Sequence, residues 1–176
     1  MQETLIPALD EVGQQYEKGV LFLPQLLASA DAAKACFERV RAHLQASGAD
    51  KGPSRGRIVM ATVKGDIHDI GKNIVKVLLE NYGYEVIDLG RDVPVQTVVE
   101  AARETKAPLV GLSALMTTTV ASMKQTIEAL KAAGLGCKTM VGGAVLTQEY
   151  ADEMGADYYA ADVQASVAIA REVFGA

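Results

Sequence analysis

An aspartate, a histidine and a glycine spaced as Asp66-x-His68-x-x-Gly71 are the residues of this chain best suited to hold a metal. They lie in the run Lys64-Gly65-Asp66-Ile67-His68-Asp69-Ile70-Gly71-Lys72-Asn73-Ile74-Val75, between an apolar strand pattern and a helix start. A metal-bound imidazole commonly donates its second ring N–H to a carboxylate, which fixes the tautomer and makes the ligating nitrogen more basic. Asp66, two residues before His68, can reach that second nitrogen. Gly71 permits backbone geometry closed to other residues and lets a bulky planar ligand approach the chain. A lone loop histidine ordinarily does no such work; here its neighbours point to ligation.

The elements that must position this loop read as alternating strands and helices. Strand patterns fall near residues 57–63, 84–89, 109–113, 137–141 and 157–159. Helical patterns lie at 72–82, 95–105, 119–133, 147–154 and 163–174. Five strands with intervening helices predict an α/β fold, a flavodoxin-like (Rossmann-like) parallel sheet in the order 2-1-3-4-5 with helices on both faces. Gly83 and Gly134 stand where helix C-caps belong. In such sheets a ligand lies beyond the carboxyl ends of the strands, where the strand order reverses. The loop after the first strand therefore carries Asp66, His68 and Asp69 to that place.

Ahead of the sheet, Leu5, Leu9, Val12 and Tyr16 recur at helical spacing. So do Leu23, Leu26, Leu27, Ala30, Ala33, Phe37, Val40 and Leu44. These predict a hairpin of two amphipathic helices, with Pro24 in the first turn of the second and Glu17-Lys18-Gly19 as the break. Residues 47–56, with glycines at 48, 52 and 56, read as a linker. The expected organisation is a helical unit over 1–46, the linker, and the sheet domain over 57–176.

Composition narrows the classes further. The 49% hydrophobic content of 176 residues supports one buried core with a small appendage. Apolar runs are too short to span a bilayer, and Met1–Glu11 has no secretory pattern, so the cytoplasm is the expected compartment. A net charge of −5 argues against nucleic acid, and no membrane partner is expected. Cys36 and Cys137 read as small core residues. A phospho-acceptor signalling module would want an aspartate after the third strand, where Ala114 and Leu115 stand instead. Neither a G-x-G-x-x-G nor a P-loop sequence is present.

The string Gly65-Asp-Ile-His-Asp-Ile-Gly71-Lys-Asn-Ile-Val75 resembles the cobalamin-binding modules of corrinoid methyltransferases. There the loop histidine displaces the cofactor's own benzimidazole and binds cobalt. Ser113-Ala114-Leu115 resembles that family's S-x-L element and Gly142-Gly143 its G-G element. The resemblance implies cobalamin (as methylcobalamin, cob(I)alamin or cob(II)alamin), with His68 as the lower axial ligand of cobalt. It implies cofactor contacts from Gly65, Asp66, Ile67, His68, Asp69, Ile70 and Gly71, from Ser113, Leu115, Met116 and Thr117, and from Gly142, Gly143 and Ala144. The displaced nucleotide tail would thread between these loops, where the Ser113 and Thr117 hydroxyls can bond it. Thr119 takes the place of a serine in a His–Asp–Ser relay, so it is expected to bond Asp66; capping the next helix is its other reading, and Thr118 competes for either. The hairpin resembles the family's cap over the corrin. Tyr16 and Leu23 would stand nearest the upper axial site, whereas Phe22 reads as hairpin core. That cap has four helices and two are visible here, which predicts either an excised segment or a homodimer through exposed apolar helix faces.

The resemblance is closest to the cobalamin-binding region of methionine synthase, a methyl relay from methyltetrahydrofolate to homocysteine. It implies folate- and homocysteine-type partner domains, without which the chain binds and carries but does not turn over. The alternative is a free-standing corrinoid shuttle for methanol, methylamines or methoxylated aromatics. A mutase subunit and a cobalamin sensor fit less well, the one usually lacking a cap and the other needing an output domain.

Overall fold

The computed structural model describes residues 5–46 and 54–175. Helices α1 (Leu5–Glu17) and α2 (Leu23–Ala46) form the predicted hairpin. The sheet domain then runs β1 (Arg57–Thr62), α3 (Ile70–Asn81), β2 (Glu85–Asp88), α4 (Val95–Thr105), β3 (Leu109–Ser113), α5 (Val120–Ala132), β4 (Lys138–Gly142), α6 (Gln148–Met154), β5 (Tyr158–Ala160) and α7 (Val163–Phe174). All strand pairs are parallel, in the order β2-β1-β3-β4-β5. The expected sheet and strand order are therefore present, with element ends within about two residues of those expected from the pattern. Residues 47–53 of the expected linker lie outside the described residues.

Alternation along the strands builds two cores. Val59, Ala61, Val110, Leu112 and Val141 face α4, α5 and α6. Ile58, Met60, Leu109, Met140 and Ala160 face α3 and α7, and on that side Leu9, Leu26, Ala30 and Ala33 of the hairpin join the same cluster. Strands buried on both faces read as near-continuous apolar runs, as Ile58-Val-Met-Ala61 does. Gly83 and Gly134 both have φ in the left-handed range, as helix ends of this kind require.

Three expectations are corrected. Cys36 is exposed on α2 rather than in the core, whereas Cys137, half-buried just before β4, packs against the core as expected. Phe22 is 69% exposed, because it sits in the turn of the hairpin rather than on its inner face. That inner face is covered by α3 and α7 of the same chain, so among the described side chains the hairpin's large exposed apolar groups are Val20 and Phe22, both in the turn. The apolar face invoked for self-association is to that extent already buried.

Candidate functional site

The end of β1 is laced to both neighbouring strands. Thr62 donates to the Gly90 carbonyl, Val63 donates to Ser113, and Val93 donates back to Thr62. The chain then turns at once, with Asp66 N–H donating to the Val63 carbonyl at 3.0 Å. Gly65 at φ +87° makes the turn possible. Its effect is to fold the Asp66 side chain inward while Ile67 and His68 stay at the surface.

Asp66 is fully buried and its two oxygens serve different partners. Oδ1 accepts from the His68 backbone N–H at 2.9 Å and from the ring at Nδ1, 2.8 Å away. Oδ2 accepts from Leu115 N–H at 2.7 Å, Met116 N–H at 3.3 Å and the Thr119 hydroxyl at 2.9 Å. Burial by itself would raise the carboxyl's pKa; the His68 and Leu115 backbone N–H groups, the His68 ring and the Thr119 hydroxyl outweigh it and hold Asp66 well below the usual carboxylate range. An ionised acceptor at Nδ1 requires that nitrogen to carry the proton, which leaves the lone pair on Nε2. The ring is 45% exposed, so that lone pair is accessible to a ligand-seeking metal.

Thr119 meets its expected role toward Asp66. Although it directly precedes α5, its side chain makes no capping bond to that helix. Its hydroxyl also lies 2.8 Å from the Met116 carbonyl, so one proton is shared between two acceptors. Leu115 and Met116 act through their main chain, since their N–H groups anchor Asp66.

A cleft of about 300 Å³ opens beside this loop on the α3/α7 side of the sheet. Its mouth is lined by Gly71, Ser113, Gly142, Gly143 and Ala144, all singled out by the sequence motifs. Gly143 has φ +146°, and a Cβ there would fall 1.8 Å from the Ala114 carbonyl oxygen, so no side chain fits. A Cβ on Gly142 would lie 3.2 Å from the Ala160 carbonyl. The G-G pair thus lets three strand ends close to backbone contact.

Gly71 is corrected in its reason. It sits in the first turn of α3 without a positive φ, and a Cβ there would meet nothing within 4 Å. Its lack of a side chain leaves open space at the cleft mouth rather than special backbone geometry. Thr117 is exposed and outside the cleft lining, so Ser113 is the nearer hydroxyl to a threaded tail. Asp69 precedes α3 but makes no side-chain cap bond. Ile67 and Ile70 are 60% and 78% exposed, and Leu115 is 41% exposed, which leaves an apolar rim about His68. Tyr16 and Leu23 are half-buried on the inner side of the hairpin, packed against the α3/α7 core.

Two supports were not legible beforehand. Asp92, at φ +52°, accepts from Gly65 N–H at 2.8 Å and pairs with Lys64 at 3.0 Å, while its own N–H donates to the Asp66 carbonyl at 2.9 Å. The Gly65 N–H and the Lys64 ammonium hold its carboxyl below the usual range. Lys72, buried at the start of α3, donates to Asp88 at 2.5 Å and to Asn73 at 3.1 Å, and Lys76 reaches the other Asp88 oxygen at 3.2 Å. This ties the helix lining the cleft to the end of β2. Both contacts join residues remote in sequence, and the one local signal was a polar Gly90-Arg91-Asp92 loop after the second strand.

Among the described residues no cluster of three or more His, Cys, Asp or Glu side chains could hold a metal ion by itself, and no helix is long and apolar enough to cross a membrane. The accessible His68 imidazole beside a glycine-lined cleft could give a metal one ligand, and the metal's other ligands would have to come with it.

Comparison with known proteins agrees with that chemistry. A family model described as B12 binding domain matches residues 56–168, and a second with the same description matches residues 1–41. The chain is 45% identical over 175 residues to dimethylamine corrinoid protein 2 of Methanosarcina mazei, covering 98% of this chain and 81% of that one. It is 48% identical over 153 residues to trimethylamine corrinoid protein 1 of the same organism, covering 86% and 70%. Among solved structures it is similar to the methanol:cobalamin methyltransferase complex MtaBC from Methanosarcina barkeri, with a TM-score of 0.85 at 32% identity over 99% of this chain and 66% of that one.

Proposed function

The chain belongs to the B12-binding domain family, whose cofactor is a corrinoid, and from this we propose that it is a cobalamin-carrying methyl shuttle of a methylamine or methanol methyltransferase system. The observation that carries the reading is the His68 ring held at Nδ1 by buried, ionised Asp66, which leaves Nε2 as the atom that would hold cobalt. The relatives named for methylamines and methanol favour the free-standing shuttle over the methionine synthase reading with its folate and homocysteine partners.

The residues present fit a corrinoid. The cleft at the Ser113, Gly142 and Gly143 loops would hold the corrinoid's nucleotide arm, and the exposed Ile67, Ile70 and Leu115 would offer apolar surface to its ring. When bound, cobalt supplies a centre that accepts a methyl group and gives it up. The protein's own part is to hold and tune. Asp66 keeps the imidazole in the ligating tautomer, and Thr119, Leu115 and Met116 keep Asp66 in place. Asp66 would orient the imidazole through Nδ1 whether or not Nε2 holds a metal. The hairpin, with Tyr16 and Leu23 on its inner side, would shield the opposite face from water.

The test loads the purified protein with cobalamin, desalts it, and then adds a dimethylamine-, trimethylamine- or methanol-specific methyltransferase with its substrate. The expected result is a coloured adduct that survives desalting and is methylated by one of these partners, with His68→Gly retaining some corrinoid but losing the axial-nitrogen signature. No retained colour would refute the carrier reading. Methylation by a methyltetrahydrofolate-dependent partner alone would return the assignment to methionine synthase.

A further inference from the structure

The stretch from Lys64 to Lys72 carries His68 between two grips, and both grips belong to one short segment of chain. At the start of the stretch, Asp92 accepts from Gly65 N–H and pairs with Lys64. At its end, the Lys72 ammonium, on a side chain that is 0% exposed, donates to Asp88 Oδ1. The Gly90 N–H donates to the same oxygen at 3.0 Å, and Lys76 holds Oδ2 at 3.2 Å. Burial alone would raise the Asp88 carboxyl's pKa; Lys72, the Gly90 N–H and Lys76 outweigh it and hold the group below the usual carboxylate range. The helix that begins between His68 and Lys72 lacks the ordinary fixings. Asp69 makes no side-chain cap bond, and the first turn of α3 has no acidic residue. A bond from Asn73 N–H to the Asp69 carbonyl, at 2.9 Å, closes that turn. A buried ion pair is poor evidence for stability, because desolvating two charges offsets their attraction; its best-attested use is to fix register.

We propose that Asp88 is a positioning residue for His68: by holding the buried Lys72 it fixes where α3 begins, and so how far the histidine loop reaches. This rests on the carrier reading above and adds a residue that acts on the imidazole through the helix start alone. A residue spans about 1.5 Å in a helix and about 3.3 Å when extended, so each residue unwound from α3 lengthens the loop by about 2 Å. A metal–imidazole bond is itself about 2 Å long. One unwound residue is therefore enough to carry Nε2 out of reach of a metal held by other parts of the site. The contact between Asp66 and the ring, being local, would survive the same slip. Asp66 thus selects the nitrogen, and Asp88 sets its place.

The test uses Lys72→Met/Asp88→Asn, which removes both charges, keeps an acceptor for the Gly90 N–H and fills the lysine's place with an unbranched apolar chain. Its urea midpoint is expected within about 0.3 M of wild type. In the metal-free protein, amide hydrogen exchange is expected to be about tenfold faster at Asn73 and within about twofold of wild type at Leu79, deeper in the same helix. In protein grown with ¹⁵N-histidine and loaded with cob(II)alamin, the share of the paramagnetic resonance signal split by an axial nitrogen is expected to fall about threefold or more. Should the double variant not fold, Asp88→Glu, which keeps the charge but moves it by one methylene, decides by the same exchange and splitting. Unchanged exchange at Asn73, or equal acceleration at Asn73 and Leu79, would overturn the proposal. So would an undiminished split share in a variant whose helix start has loosened. A wild type that retains no corrinoid sinks the carrier reading and the role of Asp88 with it; a wild type that shows the splitting, beside variants that keep it, sinks the role of Asp88 alone.

Discussion

Replacing Asp66 by asparagine changes one oxygen to an amine and little else in shape, so its cost can be worked from the bonds around the carboxylate. The asparagine oxygen is best placed at Oδ2, where Leu115, Met116 and Thr119 all donate. The NH₂ then faces the His68 backbone N–H, formerly bonded at 2.9 Å, and the ring nitrogen formerly at 2.8 Å. The backbone N–H loses its acceptor, at about 1–3 kcal/mol. The bonds kept at Oδ2 are no longer charge-assisted and weaken by about 1 kcal/mol each. Burying a neutral amide in place of a carboxylate returns part of this, leaving a net loss of about 2–3 kcal/mol. The ring can follow only by accepting at Nδ1, which puts the proton on Nε2 and closes the nitrogen that would bind cobalt. Urea denaturation measures the first effect. Electron paramagnetic resonance of the cob(II)alamin-loaded protein, grown with ¹⁵N-histidine, measures the second through the twofold splitting from a labelled axial nitrogen, expected in wild type and absent in Asp66→Asn. The pH dependence should differ as well. The native carboxyl's pKa lies below its unfolded value, so its contribution is present above about pH 4 and is lost as pH falls through the range beneath. Asp66→Asn removes that component of acid destabilisation. A variant within about 0.5 kcal/mol of wild type, with the labelled splitting intact, would refute the argument.

Thr119→Val removes a hydroxyl from a buried site and should cost about 1–2 kcal/mol in chemical denaturation, with Thr119→Ser restoring most of it; equal losses for both would mean the methyl packing matters and the hydrogen bond does not. Gly143→Ala drives a methyl group into the Ala114 carbonyl at a φ alanine avoids, so about 3 kcal/mol or more of stability and most of the corrinoid retention should go together; normal retention on desalting would contradict the backbone contact described. Asp92→Ala should lower the melting temperature and the fraction of cofactor ligated by His68 more than Asp92→Asn does, because asparagine keeps an acceptor for Gly65 and tolerates the left-handed backbone. Matching spectra for the two variants would remove Asp92 from the positioning of the loop.

The sheet was readable because its strands are continuous apolar runs between glycine-punctuated helices, and a 2-1-3-4-5 order leaves one crevice for the Asp66–His68 loop to occupy. Asp66 and His68 were readable because their bond is local, two residues apart. Thr119 was reached only through family likeness, since its contact with Asp66 spans 53 residues. Asp92 and the Lys72–Asp88 pair escaped because nothing in composition marks which exposed loop aspartate turns toward a neighbouring loop. Gly71 was noticed for its residue type and misread in its geometry, because an open position in a helix turn and a left-handed turn look alike on paper. Phe22 was placed inside on hydropathy, whereas a two-helix hairpin has more apolar residues near its bend than it has interior to hold them.

The hairpin precedes the sheet in the chain, yet Leu9, Leu26, Ala30 and Ala33 sit in one cluster with Ile58 and Met60. Cohesion therefore ignores the boundary that chain order draws. A fragment starting at residue 54 would bare an oily window over α3 and α7, and should aggregate or melt early. Any excursion of the hairpin must open the same seam, so a partner that brings its own apolar surface to the breach would lower the barrier to that opening.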